Sequence, residues 1–348
     1  MNKIYFLIQD ISTTGGTERV ATNLINQLSN LNLDVTVFTL EKKNIDNFFK
    51  INESIKVVLP DKKNNISNII YVLKESKRKK IPLIVISMGK LSFITSMLSI
   101  LYKPYFLTLS EHISFQSYSK VKRFLKLISY RIPNKIVLLT NNDKDLIGKN
   151  NNKITVIPNM NPYDGYNTSP FDSRKNIALA IGRLTYQKNF ERLINIWLDA
   201  NTKDWILYII GSGEEKNKIE KIISHKENIK LISECNNIHD YYNNAKLTLM
   251  TSRYEGLPMV LIESQHFGIP IISFDCKTGP KEIIKNNMNG YLIPYNNDFL
   301  YKEKLEALIT DEKTLLDFHK QSLSLARQFS PEKILKRWRE IIQESYGK

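Results

Sequence analysis

Three short stretches in the second half of the chain carry side chains that could manage a phosphate-bearing ligand. The first is Gly182-Arg183-Leu184-Thr185-Tyr186-Gln187-Lys188-Asn189, directly after an apolar run and opening a helical pattern. A glycine there lets the backbone approach a ligand, and Arg183 and Lys188 beside a helix N-terminus can clamp a pyrophosphate. The second is Gly211-Ser212-Gly213, again between an apolar run and a helical pattern. Gly211 begins something like a dinucleotide fingerprint, but the third glycine of that motif is missing. The third runs from Arg253 to Ser264 and reads RYEGLPMVLIES. Glu255 lies in its loop, Pro258 suits the first helical position, and Glu263 falls about a turn and a half into the helix. One carboxylate can face the mouth of a cleft, where a sugar would sit, while the other accepts hydrogen bonds from a ribose. Taken singly, each stretch has a plainer reading as solvated charge or as glutamates flanking an amphipathic helix. Together they fall at strand ends on the same face of one expected sheet, where parallel α/β folds bind ligands.

The elements that must position these residues alternate along the chain as strand, turn and helix. Strands are expected at Ile4–Ile8, Val35–Leu40, Leu83–Ser87, Tyr105–Leu109, Lys135–Thr140 and Ile154–Pro158, all short two-sided apolar runs of the kind that fill parallel sheets. Helices are expected at Thr17–Ser29 behind the Gly15-Gly16 turn, and around 66–79, 91–102 and 119–130. A stretch rich in Pro, Asn, Gly and Ser, Asn159–Ser173, reads as a linker. The alternation then restarts, with strands at Asn176–Ile181, Trp205–Ile210, Ile229–Ile232, Leu247–Thr251, Pro270–Phe274 and Gly290–Ile293 and helices at about 189–200, 214–226, 258–267 and 280–285. At 348 residues the chain suits two α/β domains. These are expected over 1–165 and 174–330, doubly wound and facing across a cleft, with a last helix over 331–346 packing back on the first.

The motifs GRLTYQKN, GSGEE, SRYEGLPMVLIES and TGPKEII, in that order and spacing, resemble the retaining enzymes of glycosyltransferase family four, which have the two-domain GT-B fold. Glu255 and Glu263 match that family's E-x7-E element, Gly15-Gly16-Thr17-Glu18-Arg19 resembles its glycine loop after the first strand, and Ser110-Glu111-His112 resembles its segment with an active-site histidine. The resemblance covers nearly the whole chain. It implies a nucleotide-sugar donor in the second domain and an acceptor in the first. Arg183 and Lys188 would hold the donor diphosphate and stabilise the leaving nucleotide, with Gly211 in the same donor site. Glu263 would bind the ribose; Glu255, with the amides near Gly256 and Leu257, would bind the transferred sugar. Gly15 and Gly16 would admit the diphosphate, and His112 would contact the donor sugar close to the reacting carbon. One departure stands out: where many members carry Gly-Gly-x-x-Glu, this chain has Thr278-Gly279-Pro280-Lys281-Glu282. It bears on sugar specificity, and the variant points to a UDP-hexose or UDP-N-acetylhexosamine.

Asp143-Lys144-Asp145 matches the D-x-D metal motif of the other large glycosyltransferase fold, but it stands at an expected helix start, where acidic residues complement the helix dipole. No essential metal and no further cofactor is therefore expected. Two cysteines, Cys235 and Cys276, make no disulfide framework and fit a reducing, cytoplasmic setting. No apolar stretch approaches the roughly 20 residues of a spanning helix.

The net charge of +15 is uneven. Residues 1–170 hold 24 Lys and Arg against 12 Asp and Glu, and residues 171–348 hold 26 against 23. The basic half is expected to meet something anionic. A basic helix with Lys120, Lys122, Arg123 and Lys126 carries an apolar face of Val121, Phe124, Leu125 and Ile128, which core packing would explain, while its cations face acceptor or lipid headgroups. The expected setting is the cytoplasmic side of the membrane, peripherally attached, with a lipid-linked saccharide as acceptor. Three rivals are weighed, of which a dinucleotide oxidoreductase is disfavoured by the broken glycine fingerprint at Gly211-Ser212-Gly213. A nucleotide-sugar epimerase or hydrolase would share the fold, and a basic nucleic-acid-binding protein would need a reader motif that is not seen, so no nucleic-acid partner is expected.

Overall fold

The computed structural model describes residues 2–347 except Ile45, Glu234 and Asn236. The chain divides into two units, Met1–Met160 with Pro331–Lys348, and Asn161–Ser330.

The first unit runs β1 (Lys3–Asp10), α1 (Gly16–Asn30), β2 (Asp34–Glu41), β3 (Lys56–Val58), α2 (Asn65–Lys79), β4 (Leu83–Ser87), α3 (Lys90–Tyr102), β5 (Leu107–Glu111), α4 (Lys120–Ser129), β6 (Lys135–Leu138), α5 (Asn141–Gly148) and β7 (Ile154–Val156). Its strands are parallel, in the order β3-β2-β1-β4-β5-β6-β7. Helices cover both faces, so alternate residues of one strand enter two cores. Ile4, Phe6 and Ile8 join one cluster; Tyr5 and Leu7 join the other. The first of these cores includes Leu24, Ile25 and Leu28 of α1 together with Ile334, Trp338, Ile341 and Ile342. Those last four lie on the terminal helix Pro331–Tyr346, which thus completes the first unit although the chain reaches it last.

The second unit runs β8 (Ile177–Ile181), α6 (Phe190–Asp199), β9 (Ile206–Ile210), α7 (Lys216–Ile223), β10 (Ile229–Ile232), α8 (Ile238–Asn244), β11 (Leu247–Met250), α9 (Met259–His266), β12 (Ile271–Asp275), α10 (Pro280–Ile283), β13 (Gly290–Pro294), α11 (Asp298–Thr310) and α12 (Glu312–Ala326); the terminal helix of the first unit is α13. Its six parallel strands have the order β10-β9-β8-β11-β12-β13. Each sheet thus reverses its strand order once, between β1 and β4 and between β8 and β11. Those are the switch points where adjacent loops leave in opposite directions and open a crevice at the strand ends.

Several elements differ from the sequence reading for identifiable reasons. β5 lies two residues later than expected, because its last residues Ser110 and Glu111 are buried strand despite being polar. β3 is an edge strand of three residues, two of them exposed, too short and too wet to show a period. The helices α8, α11 and α12 have no counterpart among the expected elements, although Tyr301, Leu305, Leu308 and Ile309 of α11 do share a helical face.

Candidate active site

In the second unit the three motif stretches leave neighbouring strands at the β8/β11 switch point. The loop after β8 crosses to the loop after β11 through a set of short links. The Arg253 amide donates to the Gln187 carbonyl at 2.8 Å, the Gln187 side-chain amide donates to the Tyr254 carbonyl at 2.9 Å, and the Thr251 hydroxyl donates to the Asn189 carbonyl at 3.0 Å. Asn189 reaches this position in a left-handed conformation, φ 58°. The Arg253 guanidinium lies 4.0 Å above the Tyr186 ring. The two loops are held as one surface.

On that surface Lys188 Nζ meets Glu255 Oε1 at 2.6 Å, with side-chain exposures of 18% and 7%. The lysine stem runs across Gly182, where a Cβ would stand 3.1 Å from Lys188 Cε. Arg183 is exposed on the same loop. Glu255 is fixed from behind as well, since the Thr278 hydroxyl donates to its backbone carbonyl. Thr278 is the residue that departs from the family pattern, and its side chain is buried in this contact. Gly279 beside it has φ +97°, and a Cβ there would come within 2.8 Å of the Gly256 carbonyl oxygen. The loop after β12 therefore braces the Glu255-Gly256-Leu257 turn, with Leu257 buried beneath it.

Gly211 has a packing reason of its own. At φ +150°, a Cβ would overlap the carbonyl oxygen of Gly182, because the loops after β8 and β9 run backbone to backbone. The Leu184 amide donates to the Ser212 carbonyl at 2.9 Å, and the Glu215 amide returns to the Leu184 carbonyl at 2.9 Å. Gly211 thus shapes the loop that carries Arg183 and Lys188. Glu263, on α9, is wholly buried, and one carboxylate oxygen accepts from the Tyr242 hydroxyl at 2.7 Å. Tyr242 stacks flat on Phe267, centroids 5.2 Å apart. Sequence reasoning missed Tyr242 and Thr251 because nothing in their local pattern marks them, and it read Thr278 as a departure bearing on sugar specificity, not as a brace on the Glu255 carbonyl. They matter only through what the fold brings beside them.

In the first unit, Gly15 caps α1 and Gly16 opens it, at the β1/β4 switch point. A Cβ at Gly16 would meet nothing within 4 Å, so neither packing nor backbone strain accounts for a glycine there. His112 follows β5, its amide donating to the Ser87 carbonyl at 2.8 Å and its Nε2 lying 3.0 Å from Ser110 Oγ. The ring borders a small cavity lined by Val20, Leu24, Leu139 and Trp338. Burial pushes the imidazole down to about 4, which keeps it neutral near pH 7.

The α4 expectations need correction. Lys126 does not present its charge outward: it is buried, and its ammonium meets Glu111 Oε1 at 2.6 Å, Ser92 Oγ at 2.8 Å and the Gly89 carbonyl at 3.3 Å. Arg123 is half-buried and donates to the Tyr118 and Gln116 carbonyls. Only Lys120 and Lys122 of the four stand exposed. The apolar face is not core either, with Val121 70% and Phe124 64% exposed. An inward lysine with a partner in hand excludes the rotation that would bury that face. Asp143 sits in the first turn of α5 and accepts from the Phe115 amide at 3.0 Å, bracing the segment after His112. Among the described residues no group of three or more His, Cys, Asp or Glu is placed to hold a metal ion.

Residues 167–324 match the family of glycosyl transferases group 1. The chain is 36% identical to the amylovoran biosynthesis glycosyltransferase AmsD of Erwinia amylovora, over 98% of this chain and 100% of that protein. It is 27% identical, over 99% of both chains, to a Campylobacter jejuni α-1,4-N-acetyl-D-galactosaminyltransferase whose name gives its acceptor as a GalNAc-bearing diNAcBac-PP-undecaprenol. Among solved structures, TarM of S. aureus, in complex with fondaparinux, α-GlcNAc-glycerol and UDP, superposes with a TM-score of 0.83 at 16% identity, covering 98% of this chain and 100% of that one. This likeness gives the pair of parallel-sheet α/β domains the GT-B fold.

Proposed function

Since the chain belongs to the glycosyl transferase group 1 family and is a glycosyltransferase, we propose that it transfers a hexose or N-acetylhexosamine from a UDP-linked donor, with retention of anomeric configuration, to a lipid-linked saccharide of a bacterial surface glycan. The observation that carries this reading is the Lys188–Glu255 pair on the stapled loops at the β8/β11 switch point. A cation held by a carboxylate, with the exposed Arg183 on the same loop, is a preorganised receiver for charge that develops on a departing diphosphate. Glu255 and the Gly256-Leu257 turn would seat the transferred sugar, Glu263 the ribose, and Gly211 would set the loop on which the cations stand.

Gly15 and Gly16 would leave room for the diphosphate, which accounts for a glycine at 16 that no neighbour requires. His112, kept neutral by burial, would act by hydrogen bonding to the sugar rather than by charge. The donor assignment draws support from a structural relative solved with UDP, and the acceptor from a sequence relative named for an undecaprenol-linked substrate. Stabilisation of the leaving group falls in this reading to Arg183 and Lys188, and an essential metal is not part of it. The protein would work on the cytoplasmic face of the membrane, reached from the basic first half.

The test is a panel of UDP, GDP and ADP in thermal unfolding, followed by transfer from UDP-sugars with and without EDTA and NMR assignment of the product anomer. A shift with UDP, EDTA-resistant transfer and a retained anomer are expected. Selective GDP binding, loss of transfer in EDTA restored by Mn²⁺, or donor consumption that ignores every acceptor would each overturn the corresponding part.

A further inference from the structure

Two neighbouring helices of the first unit turn hydroxyls and a charge inward and leave apolar side chains outside. α3 buries Ser92, Thr95, Ser96 and Ser99 beside Leu91, and leaves Ile100 48% and Leu101 75% exposed. α4 buries Lys126 and Ser129 while Val121, Phe124, Leu125 and Ile128 stand 70%, 64%, 42% and 38% exposed. At 100° per residue those four side chains share one stripe about 100° wide, the width with which a helix ordinarily faces a core. The stripe faces outward because the opposite side is locked. Lys126 is bound to Glu111, Ser92 and Gly89, and the Ser96 hydroxyl donates to the Ser129 carbonyl at 2.6 Å, tying α3 to α4. Turning α4 over would bury the stripe but leave Glu111 a buried carboxylate without its cation.

The chain around this face is strongly one-signed. Residues 88–133 contain seven Lys and Arg and a single acid, Glu111, which is buried and paired inside. Lys90, Lys103, Lys120 and Lys122 are exposed. An apolar stripe with exposed lysines on the same helices and no exposed acid in the segment matches an anionic lipid surface: apolar side chains enter the acyl boundary and lysines meet the headgroups. A second copy of the chain fits poorly, since a two-fold contact would set Lys120 and Lys122 against their own like charges. No helix among the described residues is long and apolar enough to cross a membrane.

We propose that the α3–α4 face inserts into the interfacial layer of an anionic bilayer. The inference deepens the lipid-acceptor reading and rests on it for its purpose, whereas its grounds are the orientation of the two helices. Lys120 lies eight residues after His112 on one segment, which holds His112 within roughly 29 Å of a helix seated in the bilayer, on the side of the unit where a lipid-borne acceptor would present its sugar. Lys126 holds the helix in the inserting orientation and touches no lipid.

The experiment uses the full chain with vesicles of phosphatidylcholine alone or with phosphatidylglycerol. Trp197, Trp205 and Trp338 are all buried, so Phe124→Trp introduces one exposed indole. Its emission should shift to the blue on phosphatidylglycerol vesicles and be quenched by lipids brominated in the acyl chain. Val121→Ser with Leu125→Ser should lower vesicle binding on the order of ten- to a hundredfold at any salt. Lys120→Gln with Lys122→Gln should lower it about tenfold at low salt and little at high salt. Melting followed by circular dichroism should show the serine variant as stable as the parent, because the replaced side chains are exposed. Failure of acyl-chain quenching on every vesicle overturns the proposal. So does self-association without lipid that the serine variant abolishes, which would assign the face to a second copy. A quenched indole in a chain that ignores UDP would retain the insertion and remove the donor reading instead.

Discussion

Replacing Lys188 by Met should separate what this lysine does for the fold from what it does for the reaction. Its ammonium stands 2.6 Å from Glu255, whose side chain is 7% exposed, while Lys188 keeps 18%. Breaking a fully buried ion pair costs about 3–5 kcal/mol, most of it the penalty of the charge left behind. Partial access of water beside Lys188 reduces that here to about 2 kcal/mol. Turnover should fall further, by roughly 10²–10³, the usual loss when one preorganised donor to developing charge is removed. The double variant Lys188→Met with Glu255→Gln leaves no buried charge and should regain stability to within about 1 kcal/mol of the parent, yet stay as inactive as the single. Arg183→Ala supplies the opposite control. Arg183 is exposed, so its loss should cost turnover by a similar factor and stability by under about 0.5 kcal/mol. Urea unfolding followed by tryptophan fluorescence reads the first quantity, and release of UDP from a panel of UDP-sugars in the presence of acceptor reads the second. Turnover in a folded Lys188→Met variant within about threefold of the parent, or recovery of turnover in the double, would refute the assignment of Lys188 to the departing diphosphate.

Gly211→Ala should destabilise the second unit by about 1–3 kcal/mol and weaken UDP binding, since the new methyl overlaps the Gly182 carbonyl at a φ that alanine rarely adopts; a urea titration with and without UDP checks both. His112 titrates at about 4 in the fold against an ordinary 6.5, so the unfolded chain takes up the extra proton between those values. Stability present above pH 6.5 should therefore be lost as pH falls toward 4, by up to about 3 kcal/mol, and a His112→Gln variant should flatten this slope in urea midpoints measured across the window. Lys126→Ala should cost about 3–5 kcal/mol by leaving Glu111 buried and unpaired, and Lys126→Met with Glu111→Gln should restore most of it in thermal melts.

Local pattern carried most of the architecture. Short two-sided apolar runs such as Leu83–Ser87 and Ile177–Ile181 are too short for helices and read as strands covered on both faces, and their alternation with helical runs points to crossovers and hence to parallel sheets. The same local logic placed Arg183, Lys188 and Glu255 on loops after strands, because a motif's position between an apolar run and a helix is visible in sequence. Long-range contact decided the rest. The pairing of Lys188 with Glu255 spans 67 residues, and the hold of Thr278 on the Glu255 carbonyl spans 23, distances over which no periodicity informs. Gly211 reads in sequence as a ligand glycine, and only the Gly182 carbonyl packed against it shows that the fold needs a glycine there as well. α4 shows the limit most sharply. Its sequence gives an apolar stripe and a basic one, and amphipathicity fixes the angle between them but not which of the two faces the core. That choice rested on a buried partner elsewhere in the chain: Glu111 at the end of β5 draws Lys126 inward, and the apolar stripe turns out.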